Sequence, residues 1–225
     1  MGYFSSHRFS IERTQILLFE IEKMIEGGMK PIDVYLDAPL AIRVTDVFRE
    51  YPQLLNAEVR AHIDAGTDPF TFKKLHVIHD VAESRKIHEA PDPKIIIAGA
   101  GMSVGGRIRA HEAKYLPDPK ATVLFVGYQA PGSLGRRIQE GQKDINIDGE
   151  QVKVKASIGA LTGYSGHRDR DGLLEFVDNA GKSLEKVFVV MGEPKAELFI
   201  SQRIHDFIGV EAHVPAAGEK AEIDW

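Results

Sequence analysis

Apolar residues along this chain come in two patterns: short unbroken runs, and longer stretches with a helical period. Leu17, Leu18, Ile21, Met24 and Ile25 fall at helical spacings between Ile11 and Glu26, and Gly27-Gly28 ends that run. Ile32 to Leu36 is a short apolar strand. Asp37-Ala38-Pro39 then turns the chain into a helix from Ala41 to Tyr51, which Pro52 stops. A further helix is expected from Leu54 to Ala65, and a strand from Leu75 to Ile78. Lys94 to Ala98 is a continuous β-branched run, the mark of a strand buried on both faces of a parallel sheet. A glycine-rich turn and a helix from Gly106 to Tyr115 follow it. Thr122 to Val126 is the next buried strand, and Pro131 to Glu140 reads as helical. Val152 to Ile158 alternates, as a strand with one wetter face does. Asp171 to Asn179 is a helix, Val187 to Val190 a strand, and Pro194 opens a helix to Ile208. The leading MGYFSSHR is not a good strand. Strands alternating with helices predict an α/β fold, a mostly parallel sheet flanked by helices. The polar turn Asn146 to Gly149 is the best internal break.

Composition narrows the classes. The 225 residues carry 28 Lys and Arg against 33 Asp and Glu, a net charge of −5. That balance argues against a protein that coats nucleic acid without specificity, while leaving room for a local basic patch. With no cysteine, disulfides, thiolate-bound zinc, iron–sulfur clusters and a thiol nucleophile are excluded. No apolar run approaches the roughly 20 residues of a membrane helix, and the first residues lack the apolar core of a secretory leader. A cytoplasmic protein with no membrane contact is expected.

Three segments carry candidate chemistry. The first is KIIIAGAGMSVGGR, where a buried strand runs into Gly99, Gly101, Gly105 and Gly106 before a helix. Such a turn presents backbone N–H groups and a helix N-terminus to a phosphate, with Arg107 and Arg109 close by. A dinucleotide site would need an acidic residue at the end of the next strand, which instead ends Val126-Gly127-Tyr128-Gln129. A phosphate of another ligand, a tight turn with no ligand, and, least favoured by that missing acid, a dinucleotide remain as readings. The second segment is Ser165-Gly166-His167, which could bind a phosphate and deliver a proton. Equally, Ser165 or Asp169 could cap the following helix and leave the histidine exposed. The third is Met191-Gly192-Glu193-Pro194 at a strand end. His76 and His79 lie three apart, on opposite faces of a strand, which does not suit a shared metal. His88 has no partner at ligand spacing, and His111 is expected on a solvated helix face.

Taken in order, FSIERTQILLFEIE, PIDVYLDAPLAIRVTDVFREY, IIIAGAGMSVGGR, LPDPKATVLFVGYQAPGSLGRRIQEG, GYSGHRDRDGLLEF and VFVVMGEPKAELF resemble the C-terminal part of β-CASP nucleases. These form the RNA-processing branch of the metallo-β-lactamase fold. The resemblance spans Phe9 to Pro215. It implies a β-CASP domain at residues 11–159, followed at 160–225 by a partial metallo-β-lactamase segment that returns to complete its domain. It implies RNA as partner and phosphodiester hydrolysis with two zinc ions, or, in the alternative, a non-catalytic RNA- or nucleotide-binding module or partner subunit. By the same resemblance His167 protonates the leaving group or holds the scissile phosphate, while Ser165, Gly166, Gly101, Gly105, Gly106 and Arg107 hold phosphates. The family's His-x-His-x-Asp-His zinc motif has no counterpart here, and Met191 stands where RNA-cleaving members have a zinc-ligand histidine. No cofactor is therefore expected in this chain. The expectation is a truncated enzyme, inactive alone, that pairs with itself or with a missing N-terminal half.

Overall fold

The computed structural model describes residues 2–6, 12–99, 101–161, 163–164, 167–181 and 183–221, with residues 2–6 and 101 described by backbone alone. The chain divides into two compact units, Met1–Ser165 and Gly166–Trp225.

The first unit is built on strands β1 (Gly2–Ser6), β2 (Asp33–Asp37), β3 (Leu75–Val77), β4 (Lys94–Gly99) and β5 (Thr122–Val126), the hairpin β6 (Asp144–Ile147) and β7 (Glu150–Lys153), and β8 (Ser157–Leu161). Its helices are α1 (Arg13–Glu26), α2 (Pro39–Glu50), α3 (Ala57–Asp64), α4 (Val81–Lys86), α5 (Ile108–Tyr115) and α6 (Leu134–Gln139). Six strands form one sheet in the order β3-β2-β4-β1-β5-β8, and every pairing is parallel. Local chemistry places the helix starts. Pro39 opens α2, Asn56 caps α3, Asp80 caps α4 and Ser133 caps α6. Glu12 and Gln15 close a reciprocal capping box at the start of α1.

Both faces of the sheet are covered. On one face Leu18, Phe19 and Ile21 of α1, Ile42 of α2 and Val59 of α3 pack with Val34, Leu36 and Ile97. On the other Ile108 and Tyr115 of α5, Leu134 and Ile138 of α6 and the hairpin pack with Ile96, Ala98, Val123 and Phe125. The alternation within β4 assigns Ile97 to one core and Ile96 and Ala98 to the other. Each fully buried isoleucine among them contributes about 1.5–3 kcal/mol.

Three expectations are corrected. Gly2–Ser6 is a strand, pairing with β4 on one side and β5 on the other. Two flanking strands of high β-propensity supply a context that outweighs weak local preference. The polar turn after Asn146 is not a break between units. Asp148 and Gly149 take left-handed backbone and close a tight hairpin, whose Ile145, Ile147 and Val152 join the core. Finally, the single strand expected from Val152 to Ile158 is two, the end of β7 and the start of β8.

The second unit comprises α7 (Arg170–Asp178), β9 (Lys186–Phe188), α8 (Pro194–Arg203), a π-helical turn (Ile204–Ile208) and β10 (Glu211–His213). β9 and β10 pair in parallel, from Lys186 with Glu211 to Phe188 with His213. Among its described residues, Ile204 is the one buried hydrophobic side chain. Phe176 is 67% exposed and Phe207 70%. Arg203 lies over the rings of both Phe199 and Phe207, at 5.1 and 5.0 Å.

Candidate functional site

Open parallel sheets place ligands at the carboxyl ends of strands where successive connections leave to opposite faces. The first unit meets that condition at β1. The helix that follows β1 packs on one face, while those that follow its neighbours β4 and β5 pack on the other. The loops after β4 and β5 therefore flank the end of β1.

The loop after β4 is the glycine-rich segment. Met102 and Ser103 take left-handed backbone with φ of 64° and 57°, and Gly106 follows at 74°. Consecutive non-glycine residues in this region are strained and persist only when their surroundings hold them. Here three side chains do so. The buried Ser103 hydroxyl donates to Glu112 Oε1 on α5. Arg109 Nη1 donates to the Ser103 carbonyl at 3.1 Å, and Arg109 Nε to Asp148 at 2.9 Å. Arg107 ties the end of the loop to two strand ends. Its Nη1 donates to Asp37 Oδ1 at 2.5 Å and to the Ile78 carbonyl at 3.1 Å, and its Nη2 to the His79 carbonyl at 2.8 Å.

Asp37, the last residue of β2, is the hub of this arrangement and is 0% exposed. Its Oδ2 accepts from Ser84 Oγ at 2.5 Å and pairs with His111 Nε2 at 2.8 Å. Burial alone would raise this carboxyl, but hydrogen bonds from His111, Ser84 and Arg107 outweigh it and hold the group below the ordinary carboxylate value. An ionised Asp37 fixes a proton on His111 Nε2. On its other side His111 Nδ1 lies 3.0 Å from His88 Nε2, within hydrogen-bond distance. Burial, aided by His111, Lys114 and Lys94, pushes His88 down to about 4, so it is neutral near pH 7.

The loop after β5 is shaped by Arg13. Gly127 has φ 127°, and a Cβ there would lie 1.8 Å from Arg13 Nη1. Arg13 is buried and donates from Nη1 to the Val126 carbonyl at 3.2 Å and from Nε to the Tyr164 carbonyl at 2.9 Å. Next to it Tyr128 is exposed, whereas Gln129 is buried and donates back to the Tyr128 carbonyl at 3.2 Å.

Of the residues singled out from sequence, Gly101, Gly105, Gly106 and Arg107 share the loop after β4. Arg107 faces Asp37 and two carbonyls. Ser165 and Gly166 lie outside the described residues. His167 is an exposed residue of the second unit, and Asp169 caps α7 by accepting from the Gly172 N–H at 2.8 Å. Met191 follows β9, 98% exposed, on left-handed backbone at φ 69°. His76 bonds Asp33 at 2.8 Å and stacks on Tyr35.

His111 requires a correction, because it is wholly buried rather than on a solvated face. Ile108, His111, Glu112 and Tyr115 form the stripe of α5 that faces inward, at helical spacing. Three of these four are polar or amphipathic, which hides the stripe from a count of apolar residues. Asp37 was missed as well. Its signal was an acid closing an apolar strand just ahead of Pro39.

A family model described as the Beta-Casp domain matches residues 14–138, more than half of the chain. A second, described as the Zn-dependent metallo-hydrolase RNA specificity domain, matches residues 151–215. Transcription termination factor FttA of Pyrococcus horikoshii is 32% identical over 212 residues, 92% of this chain and 32% of that protein. Ribonuclease TTHA0252 of Thermus thermophilus is 34% identical over 195 residues, 86% of this chain and 44% of that protein. The FttA of Methanothermobacter thermautotrophicus is 32% identical over 222 residues, 96% of this chain and 35% of that protein. The chain thus spans between 32% and 44% of the length of these relatives. The zinc dependence in the second description is not matched by the described residues. They hold no group of three or more His, Asp or Glu placed to share an ion, and the Met191 thioether is a poor zinc ligand.

Proposed function

The chain belongs to the β-CASP family, and on that premise we propose that it holds RNA and delivers a proton in phosphodiester hydrolysis. The observation that carries this is the pinned glycine loop at the end of β1, where the topology of the sheet calls for a ligand. Backbone N–H groups around Gly101, Gly105 and Gly106 bind non-bridging phosphate oxygens. Arg107, spent on Asp37 and two carbonyls, fixes the loop from behind rather than meeting the phosphate. Ser165 and Gly166 hold the scissile phosphate. His167 gives its proton to the leaving ribose oxygen as that P–O bond breaks, and the attacking water, adding to phosphorus, releases the proton that restores it.

Binding of a labelled single-stranded oligoribonucleotide, followed by fluorescence anisotropy over a salt series, tests the first part. Affinity should fall with salt, with a log–log slope of about −0.7 per phosphate contacted. No binding at low salt would overturn it. For the second part, hydrolysis is measured in zinc-supplemented protein completed by the N-terminal half of a relative. His167→Ala should lower turnover by about 10²–10⁴, and unchanged turnover would remove His167 from the reaction. The exposed Met191 favours a second reading, a non-catalytic RNA-binding subunit. Salt-sensitive binding with no hydrolysis in the completed assembly would select it.

A further inference from the structure

Beneath the glycine loop lies a carboxyl group that phosphate binding does not use. Glu112 faces inward from α5 and is almost fully buried. Its Oε1 accepts from Ser103, one of the two strained left-handed residues, while its Oε2 has no hydrogen-bond partner among the described residues. A second buried acceptor, Gln129 Oε1, also lacks a partner. It sits against the same loop, since it and the Met102 carbonyl carbon both crowd the point where a Gly135 Cβ would lie, at 1.9 and 3.2 Å. The loop is thus seated on two buried acceptor atoms, Glu112 Oε2 and Gln129 Oε1, that have no donor among the described residues.

We propose that Glu112 is a positioning residue whose neutral acid holds the Met102–Ser103 pair in the RNA-binding shape, and whose ionisation releases the loop. This rests on the RNA-holding role given to the loop above. An anionic Oε2 with no donor is costly to bury, whereas a hydroxyl costs far less. Relief comes by admitting water, and the space for it opens only if the loop lifts. Few charges oppose this. Arg109, from the same helix, favours the anion, but it is shared with Asp148 of the hairpin turn. Ser103 faces the carboxyl from the loop, and Gln129, uncharged, faces the loop from beyond β5. Burial dominates and pushes Glu112 up to about 7 from an ordinary 4.5, with Ser103 and Arg109 acting the other way. The acid is therefore neutral below pH 7 and progressively ionised above it.

Two measurements on the full chain test this. The first is RNA affinity at fixed ionic strength. Between pH 6 and pH 8 it should fall roughly tenfold in the native protein, as the competent fraction falls. Glu112→Gln keeps the acceptor for Ser103 and cannot ionise, so it should hold the pH 6 affinity throughout. The second needs no RNA: amide hydrogen exchange across residues 101–107, compared between native protein and Glu112→Gln at each pH. The two should match at pH 6, and the native loop should exchange several-fold faster at pH 8. A native-to-variant ratio that does not change with pH overturns the role of Glu112 even if RNA binds. Absence of RNA binding at every pH, with the exchange difference present, overturns only the RNA-holding role of the loop.

Discussion

A glycine at position 127 is a requirement of the space beside it. The Arg13 guanidinium lies where a side chain would begin, and the backbone is left-handed there. Gly127→Ala should destabilise the protein by about 2–4 kcal/mol, combining backbone strain with the loss of Arg13 hydrogen bonds to Val126 and Tyr164. Urea unfolding checks this, and a change within experimental error would mean that Arg13 moves aside freely. At this scale sequence reasoning found the glycines and missed the groups that hold them. Gly101, Gly105 and Gly106 are visible because glycine clusters are rare. Arg13, Asp37 and His111 are not, because each acts through a partner far along the chain, and Glu112 is not, because an acid on a helix gives no local sign that it is buried. Asp37 meets Arg107 and His111 across 70 and 74 positions of sequence. No local pattern announces such pairs.

Among the elements, β4 and β5 were legible because burial on both faces leaves an unbroken apolar run. β1 was not, since its residues lack that signal and its place depends on two strands much later in the chain. The hairpin was misjudged for a related reason: its polar turn looks like a boundary until the pairing of Ile145 with Val152 is known. The status of β1 gives a test. Phe4 lies between Ile97 and Leu124 in the ladder. Phe4→Pro removes a backbone donor in mid-sheet and should cost about 3 kcal/mol or more. The thermal midpoint followed by circular dichroism should fall by several degrees. An unchanged midpoint would show that the strand adds little to the sheet.

Across the whole molecule the two units differ in how much they bury. The first has two apolar cores on either side of its sheet, while the second, among described residues, has Ile204 alone and leaves Phe176, Leu198 and Phe207 exposed. Surfaces of that kind associate. Light scattering of the purified chain should report species heavier than the 24.9 kDa monomer, and a monodisperse monomer would contradict this. The α/β class and the parallel sheet were legible at this scale from the alternation of elements, but the strand order was not, because periodicity says nothing about neighbours. That order also governs how the chain can be made. β1 must sit between two strands that are synthesised after it, and the second of them ends at Val126. At about 5–20 residues per second, roughly 6–24 s pass between the end of β1 and the point where the nascent chain contains both sides of its slot. Until then β1 has neither of its neighbours, and its backbone N–H and C=O groups stay open to other pairings.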